Sequence, residues 1–267
     1  MKPAFAVLNG AACRYAVDRR GPRTLVLIHE LGGSLESWDD LVQLLAPDLG
    51  VVRHDLRGAG LSQKMRGRLD LDTLADDVAA LLDHVGEAGA VDVMGAAAGA
   101  AIAVRFAIRH AARCRRLILL APALGVPAER RDAAMATADL LDRDGMAAIA
   151  DAVLPKAFPE ALWPDGQTKA RAIARWLGAD PEGYAAMYRA IAETGVLTEI
   201  GAIAQPTLLV AGSHDPFNPP ERLRETAASI PDCRFEIAEA GHFPAVQSPQ
   251  SIAPLLSAFL GAPEAGR

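Results

Sequence analysis

"VMGAAAGAA", residues 93–101, is the stretch on which the fold turns. An apolar run ends here and an alanine-rich helical stretch begins. Gly95 and Gly99 bracket three alanines. Small residues of this kind let a strand and a helix approach closely across a sharp turn. Such a turn presents the side chain at its centre, and here that residue is Ala97, which has no reactive group.

Upstream, "VDVMG" reads as a strand; downstream, 99–112 reads as a helix. "TLVLIHE" (24–30) and "RLILLAP" (116–122) are continuous apolar runs, as expected of strands covered on both faces. "VVRHDLRGAG" (51–60) is a strand followed by a glycine turn. Helices are expected over 37–46, from Trp38, Leu41, Leu44 and Leu45, and over 71–85, from the stripe Leu71, Leu74, Val78, Leu81, Leu82 and Val85. "AFAVLNGAACRYAV" reads as a hairpin around Asn9-Gly10. This alternation implies an α/β fold: a mostly parallel, doubly wound sheet with helices on both faces. The rhythm breaks over 126–200, which reads as helical throughout. It resumes with "PTLLVAGSHD" (206–215), a helix near 219–229, "RFEIAEAGH" (234–242) and a helix near 250–260. The expected organisation is a core of 1–125 and 201–267 carrying a helical insertion, 126–200. The tail "GAPEAGR" (261–267) is expected to be loose.

Composition narrows the function classes. The chain has 267 residues, 51% hydrophobic and 22% charged, which suits a soluble globular protein with a real core. Its 27 basic and 33 acidic residues give a net charge of −6, which argues against a nucleic-acid-binding face. Cys13, Cys114 and Cys233 are scattered and odd in number, so reduced, packed thiols in a cytoplasmic protein are expected. The opening "MKPAFAVLNG" lacks the apolar core and cleavage site of a signal peptide. No apolar run reaches the ~18 residues of a membrane span. The sequence carries no His-Glu-x-x-His or Cys/His metal motif, and "GAAAGAA" lacks the glycine spacing of a dinucleotide fingerprint. No metal or cofactor is therefore expected. The expected partner is a small molecule, and no pattern sets an oligomeric state.

Three sets of loops follow expected strands, and open parallel sheets bind ligands at the carboxyl ends of their strands. They are "HELGGS" (29–34), "GAAAG" (95–99), and the pair "GSHDPFNPP" (212–220) and "AGHFP" (240–244), which hold Asp215 and His242. With these residues in order, the whole chain resembles the α/β-hydrolase family, and within it the small esterase and 3-oxoadipate enol-lactonase branch. "LIHELGGSLESW" is similar to the family's oxyanion-loop segment, and "RHDLRGAGLS" to the stretch after its next strand. "GAAAG" falls on the nucleophile elbow, whose usual form is Gly-x-Ser-x-Gly. The order elbow, acid, histidine is also the family's.

The resemblance implies roles. His242 would be general base and acid, Asp215 would fix its tautomer, and the backbone N–H groups of Leu31 and Ala98 would form the oxyanion hole. The departure falls on Ala97, which stands where the serine nucleophile belongs. A methyl group cannot attack a carbonyl, so the acyl-enzyme route is closed. Glu30, Ala100 and Gln247 also depart from frequent family choices, and Glu30, where a glycine is common after the loop histidine, leaves the path of the oxyanion loop open. By resemblance the insertion, with Trp163, Trp176, Tyr184, Met187 and Tyr188, is a cap whose apolar residues roof a pocket. His29 is expected to be a structural loop residue. His54, His84 and His110 are expected to pack or cap, and Arg57 to be structural. Neither Ser34 nor Ser62 lies on the elbow.

Three readings stay open at this stage. The chain is a serine hydrolase inactivated at the elbow; or an enzyme whose Asp-His dyad activates water or moves a proton on a small ester, lactone or related carbonyl compound; or a non-catalytic binder, a pseudo-hydrolase.

Overall fold

In the computed structural model the described residues are 2–163 and 165–261. The expected loose tail therefore lies, past Gly261, outside the described residues. Eight strands form one sheet: β1 (Ala4–Leu8), β2 (Ala11–Asp18), β3 (Arg23–Ile28), β4 (Leu49–His54), β5 (Val91–Ala96), β6 (Cys114–Leu120), β7 (Thr207–Gly212) and β8 (Cys233–Ala238). Their order is β1-β2-β4-β3-β5-β6-β7-β8. The β1–β2 and β2–β4 pairs are antiparallel and the remaining pairs are parallel. Asn9 and Gly10 take φ of 46° and 77°, the left-handed pair that a two-residue hairpin turn requires, and Leu8 sits opposite Ala11 across it.

Strand residues divide by parity between two layers, because successive side chains point to opposite faces. Val26, Ile28, Val93, Leu117 and Leu119 pack with Leu74 and Val78 of α2 (Leu71–His84) and with Ile102 and Phe106 of α3 (Ala98–Arg109). Leu25, Leu27, Met94, Ile118 and Leu120 pack on the other face with Trp38, with Leu41 of α1 (Asp39–Leu44), and with Ile252 and Leu256 of α10 (Pro249–Gly261). The apolar runs of β3 and β6 are continuous because both of their faces are covered.

Two expected helices are shorter than the apolar spacing suggests. The stretch 37–46 begins as a 3-10 turn, Leu35–Trp38, closed by reciprocal Ser34 and Ser37 capping, before α1 takes over. The stretch 99–112 breaks at His110, whose ring is 2.8 Å from Asp76 and packs against Phe106. Among the described residues, 126–200 contains helices and no strand. Its main pieces are α4 (Arg131–Asp144), α5 (Ala150–Ala157), α6 (Gly166–Leu177) and α7 (Pro181–Thr194). α4 packs along α7, and α7 rests on α2 and α3. Beyond β7 come α8 (Pro220–Ala228) and the short α9 (Pro244–Gln247). Among the described residues, no helix is long and apolar enough to cross a membrane.

His54 ends β4 buried, with neither ring nitrogen hydrogen-bonded. Burial, reinforced by the neighbouring His29 and opposed by Asp55, pushes its pKa down to about 4 from 6.5. The unfolded chain therefore binds this proton more readily between those values. Stability from this group is complete above pH ~6.5 and falls, by about 3 kcal/mol in total, as pH drops toward 4. Urea unfolding between pH 7.5 and 4.5 should show this loss in the parent protein, and His54→Leu should flatten it.

Candidate active site

The sheet's strand order reverses between β3 and β5, and open α/β sheets bind ligands at this switch point, beyond the carboxyl ends of the strands. The loop after β3 holds Leu31, and the turn after β5 holds Ala97 and Ala98. Both loops therefore start from adjacent strands, which are in register to Ile28 opposite Gly95.

Ala97 has φ 46° and ψ −113°, a conformation that costs a residue with a Cβ about 1–3 kcal/mol. The backbone holds it there: its N–H donates to the Leu120 carbonyl at 2.9 Å, and its own carbonyl accepts from Ala100 at 3.1 Å and Ala123 at 3.0 Å. The flanking glycines are required by contact. A Cβ on Gly95 would lie 2.3 Å from the Gly99 oxygen, and one on Gly99 would lie 2.2 Å from the Ile28 oxygen. Ala98 opens α3, so its amide has no acceptor within the helix and sits at the positive end of the helix dipole.

The loop after β3 is fixed by His29. Its Nδ1 is 2.7 Å from the Glu30 carbonyl, and its Nε2 accepts the Leu56 N–H at 3.0 Å, which assigns the proton to Nδ1. His29 is thus a structural histidine, as its loop position suggested. Glu30, the departure whose effect on the loop was open, turns inward. It is buried, and its carboxylate accepts the Ser37 hydroxyl at 2.6 Å, tying the loop to the 3-10 turn that follows. Ser34 and Ser62 are engaged elsewhere, with Glu36 and with the Asp55 carbonyl. Arg57 forms a two-pronged pair with Asp77.

Asp215 and His242 come together from the loops after β7 and β8. Asp215 Oδ2 is 3.0 Å from His242 Nδ1. The other oxygen, Oδ1, accepts the N–H groups of Phe217 at 2.9 Å and Asn218 at 3.2 Å. The carboxylate is 3% exposed as a residue, so these donors are what make its burial tolerable. The His242 ring packs against Phe217 and Phe243, with each ring centroid 4.9 Å away. Gln247 braces the loop: its carbonyl accepts the Phe243 N–H at 3.0 Å, and its amide donates to the Ala157 carbonyl at 2.6 Å. The second bond, to a carbonyl at the end of α5, needs the amide; a glutamate carboxylate could not donate it.

Leu31, Ala97, Ala98 and His242 line one cavity of about 280 Å³. Its other walls come from 126–200, through Ile149, Val153, Tyr188 and Ile191 among others. Among the described residues, no three His, Cys, Asp or Glu side chains gather as a metal ion would need. The three cysteines carry free thiols.

A family model described as alpha/beta hydrolase fold matches residues 23–249. The chain belongs to this family. Among curated proteins it is 29% identical over 263 residues to a poly(3-hydroxyalkanoate) depolymerase of Ectopseudomonas oleovorans, covering 95% of this chain and 90% of that one. It is 27% identical over 242 residues to a 3-oxoadipate enol-lactonase of Acinetobacter baylyi, covering 90% of each. Among solved structures, a thermophilic esterase from Thermogutta terrifontis, with malate bound, superimposes with a TM-score of 0.89 at 26% identity over 98% of each chain. The chain's relatives include esterase- and lactonase-like enzymes. Of the residues expected to supply a roof, Tyr184 and Tyr188 line the cavity; sequence reading did not single out Arg130 and Arg222, which line it too and lie on a turn and a helix whose spacing marks only a solvated face.

Proposed function

We propose that this cavity takes a small carboxylic ester, lactone or related carbonyl compound, and that His242, oriented by Asp215, acts on it directly. The carbonyl oxygen would rest against the N–H groups of Leu31 and Ala98. With Nδ1 engaged by Asp215, Nε2 is the nitrogen that faces the reaction. It takes a proton either from a water that attacks the carbonyl or from the carbon beside it. The negative charge that develops on oxygen is held by the two amides, and the imidazolium by Asp215. No covalent intermediate forms on the protein, because Ala97 offers no nucleophile. In this reading 126–200 is a cap over a core of 1–125 and 201–267, and the free thiols favour a cytoplasmic setting.

One observation carries the proposal: the Asp215–His242 pair, at 3.0 Å, keeps its carboxylate fully hydrogen-bonded beside the cavity although the serine is absent. The second reading, a non-catalytic binder, draws on Ala97 itself. A panel of short aryl esters and lactones separates them. The parent protein should turn over at least one, and His242→Ala should lower its kcat by about 10²–10⁴-fold, the usual contribution of a general base. Saturable binding across the panel with no turnover would establish the binder instead.

A further inference from the structure

The charged side chains lining the cavity are of one sign. No aspartate or glutamate lines it, whereas Arg130 and Arg222 both do, in a chain whose net charge is −6. Several arginines elsewhere are paired: Arg14 with Asp55, Arg53 with Asp39, Arg57 with Asp77, Arg189 with Asp139. Among the described residues, neither Arg130 nor Arg222 has a carboxylate partner.

The two come from different parts of the chain. Arg130 ends the 3-10 turn Ala128–Arg130 ahead of α4, and Arg222 lies in the first turn of α8. Arg222 is aimed: its guanidinium donates to the side-chain oxygen of Asn218, which is buried. Asn218 also donates its backbone N–H to Asp215 at 3.2 Å, so one residue positions both the guanidinium and the dyad's acid. A neutral amide orients this cation without cancelling its charge. The walls beside the arginines are apolar, from Ala133, Ala134, Ile149 and Val153.

We propose that the cavity selects carbonyl compounds that bear a carboxylate, with Arg130 and Arg222 as the specificity-determining pair that holds it. This rests on the reading above and names the substrate class of the same site. The carboxylate sits between the guanidinium groups, which match it with planar, paired donors. A short apolar body crosses the wall, and the carbonyl reaches the space above Ala97. The same positive charge draws anions to the mouth of the cavity, so binding weakens as salt rises.

The probes are levulinate, a keto acid, and its methyl ester, titrated by calorimetry at pH 8 in low salt against the full chain. Levulinate should bind at least about tenfold tighter than the ester, which equals ~1.4 kcal/mol. Arg130→Gln/Arg222→Gln should bring the two within about twofold, with an unchanged melting temperature and little change in the ester's own affinity. Arg222→Lys should keep part of the preference. His242→Ala should keep it entirely. Equal affinities in the parent protein, a preference that survives the double variant, or no binding of either probe would each overturn the proposal. The readout is binding, so its failure is separable from failure of the catalytic reading. An arginine-dependent acid preference without turnover leaves the anion subsite standing and removes the reaction. Turnover of esters without that preference does the reverse.

Discussion

Ala97→Ser is expected to turn this protein into a serine esterase, with turnover of 4-nitrophenyl acetate rising on the order of 10³-fold, since triad members act as a unit. The substitution adds one hydroxyl to a Cβ already held at φ 46° and ψ −113°, and serine tolerates that backbone no worse than alanine. The elbow hydrogen bonds are all main-chain, so they survive the change. His242 lines the same cavity and has its Nδ1 engaged by Asp215, which leaves Nε2 to accept the new hydroxyl's proton. Stability should move by less than about 1 kcal/mol. A fluorophosphonate probe should label the variant at residue 97 and leave the parent unlabelled, as mass spectrometry would show. A folded variant that is neither labelled nor active would mean that the histidine is not aligned with the elbow, and the proposed reaction would fall with it.

Gly99→Ala is expected to be strongly destabilising. The added methyl would lie 2.2 Å from the Ile28 carbonyl oxygen and 2.5 Å from that of His29. Both are backbone atoms at the end of β3, so no side chain can rotate away. Either α3 lifts from the sheet or the loop carrying Leu31 shifts. Overpacking of this kind costs about 3 kcal/mol or more, and the melting temperature should fall by roughly 10 °C. Gly89→Ala is the matched control: nothing lies within 4 Å of its added Cβ, and its effect should stay within about 0.5 kcal/mol. A loss at Gly99 no larger than that at Gly89 would show that the contact with the β3 carbonyls does not govern Gly99.

What could be read from sequence follows a physical divide. The core was legible because strands covered on both faces leave unbroken apolar runs, and because "GAAAG" records in its glycines a contact between β3, β5 and α3. Asp215 and His242 were legible through their order along the chain and their places after expected strands. The interior of 126–200 was not. Helix stripes there show that α4, α6 and α7 have apolar faces, without saying which face meets which. Tyr184 reads as packing by spacing and also lines the cavity. Arg130 and Arg222 lie far apart in sequence and share only the lining of the cavity. Glu30 and Gln247 were visible as departures, but only partners seen in three dimensions, Ser37 and the Ala157 carbonyl, explain what each does.

The main-chain bonds that clamp residue 97 have a consequence beyond the proposed reaction. Because Leu120, Ala100 and Ala123 fix the elbow through backbone atoms alone, its shape does not depend on what the side chain is. Alanine and serine codons differ by a single base. On the proposed reading of the site, the chain stands one mutational step from covalent catalysis. A lineage built this way can lose its nucleophile and regain it without refounding the site.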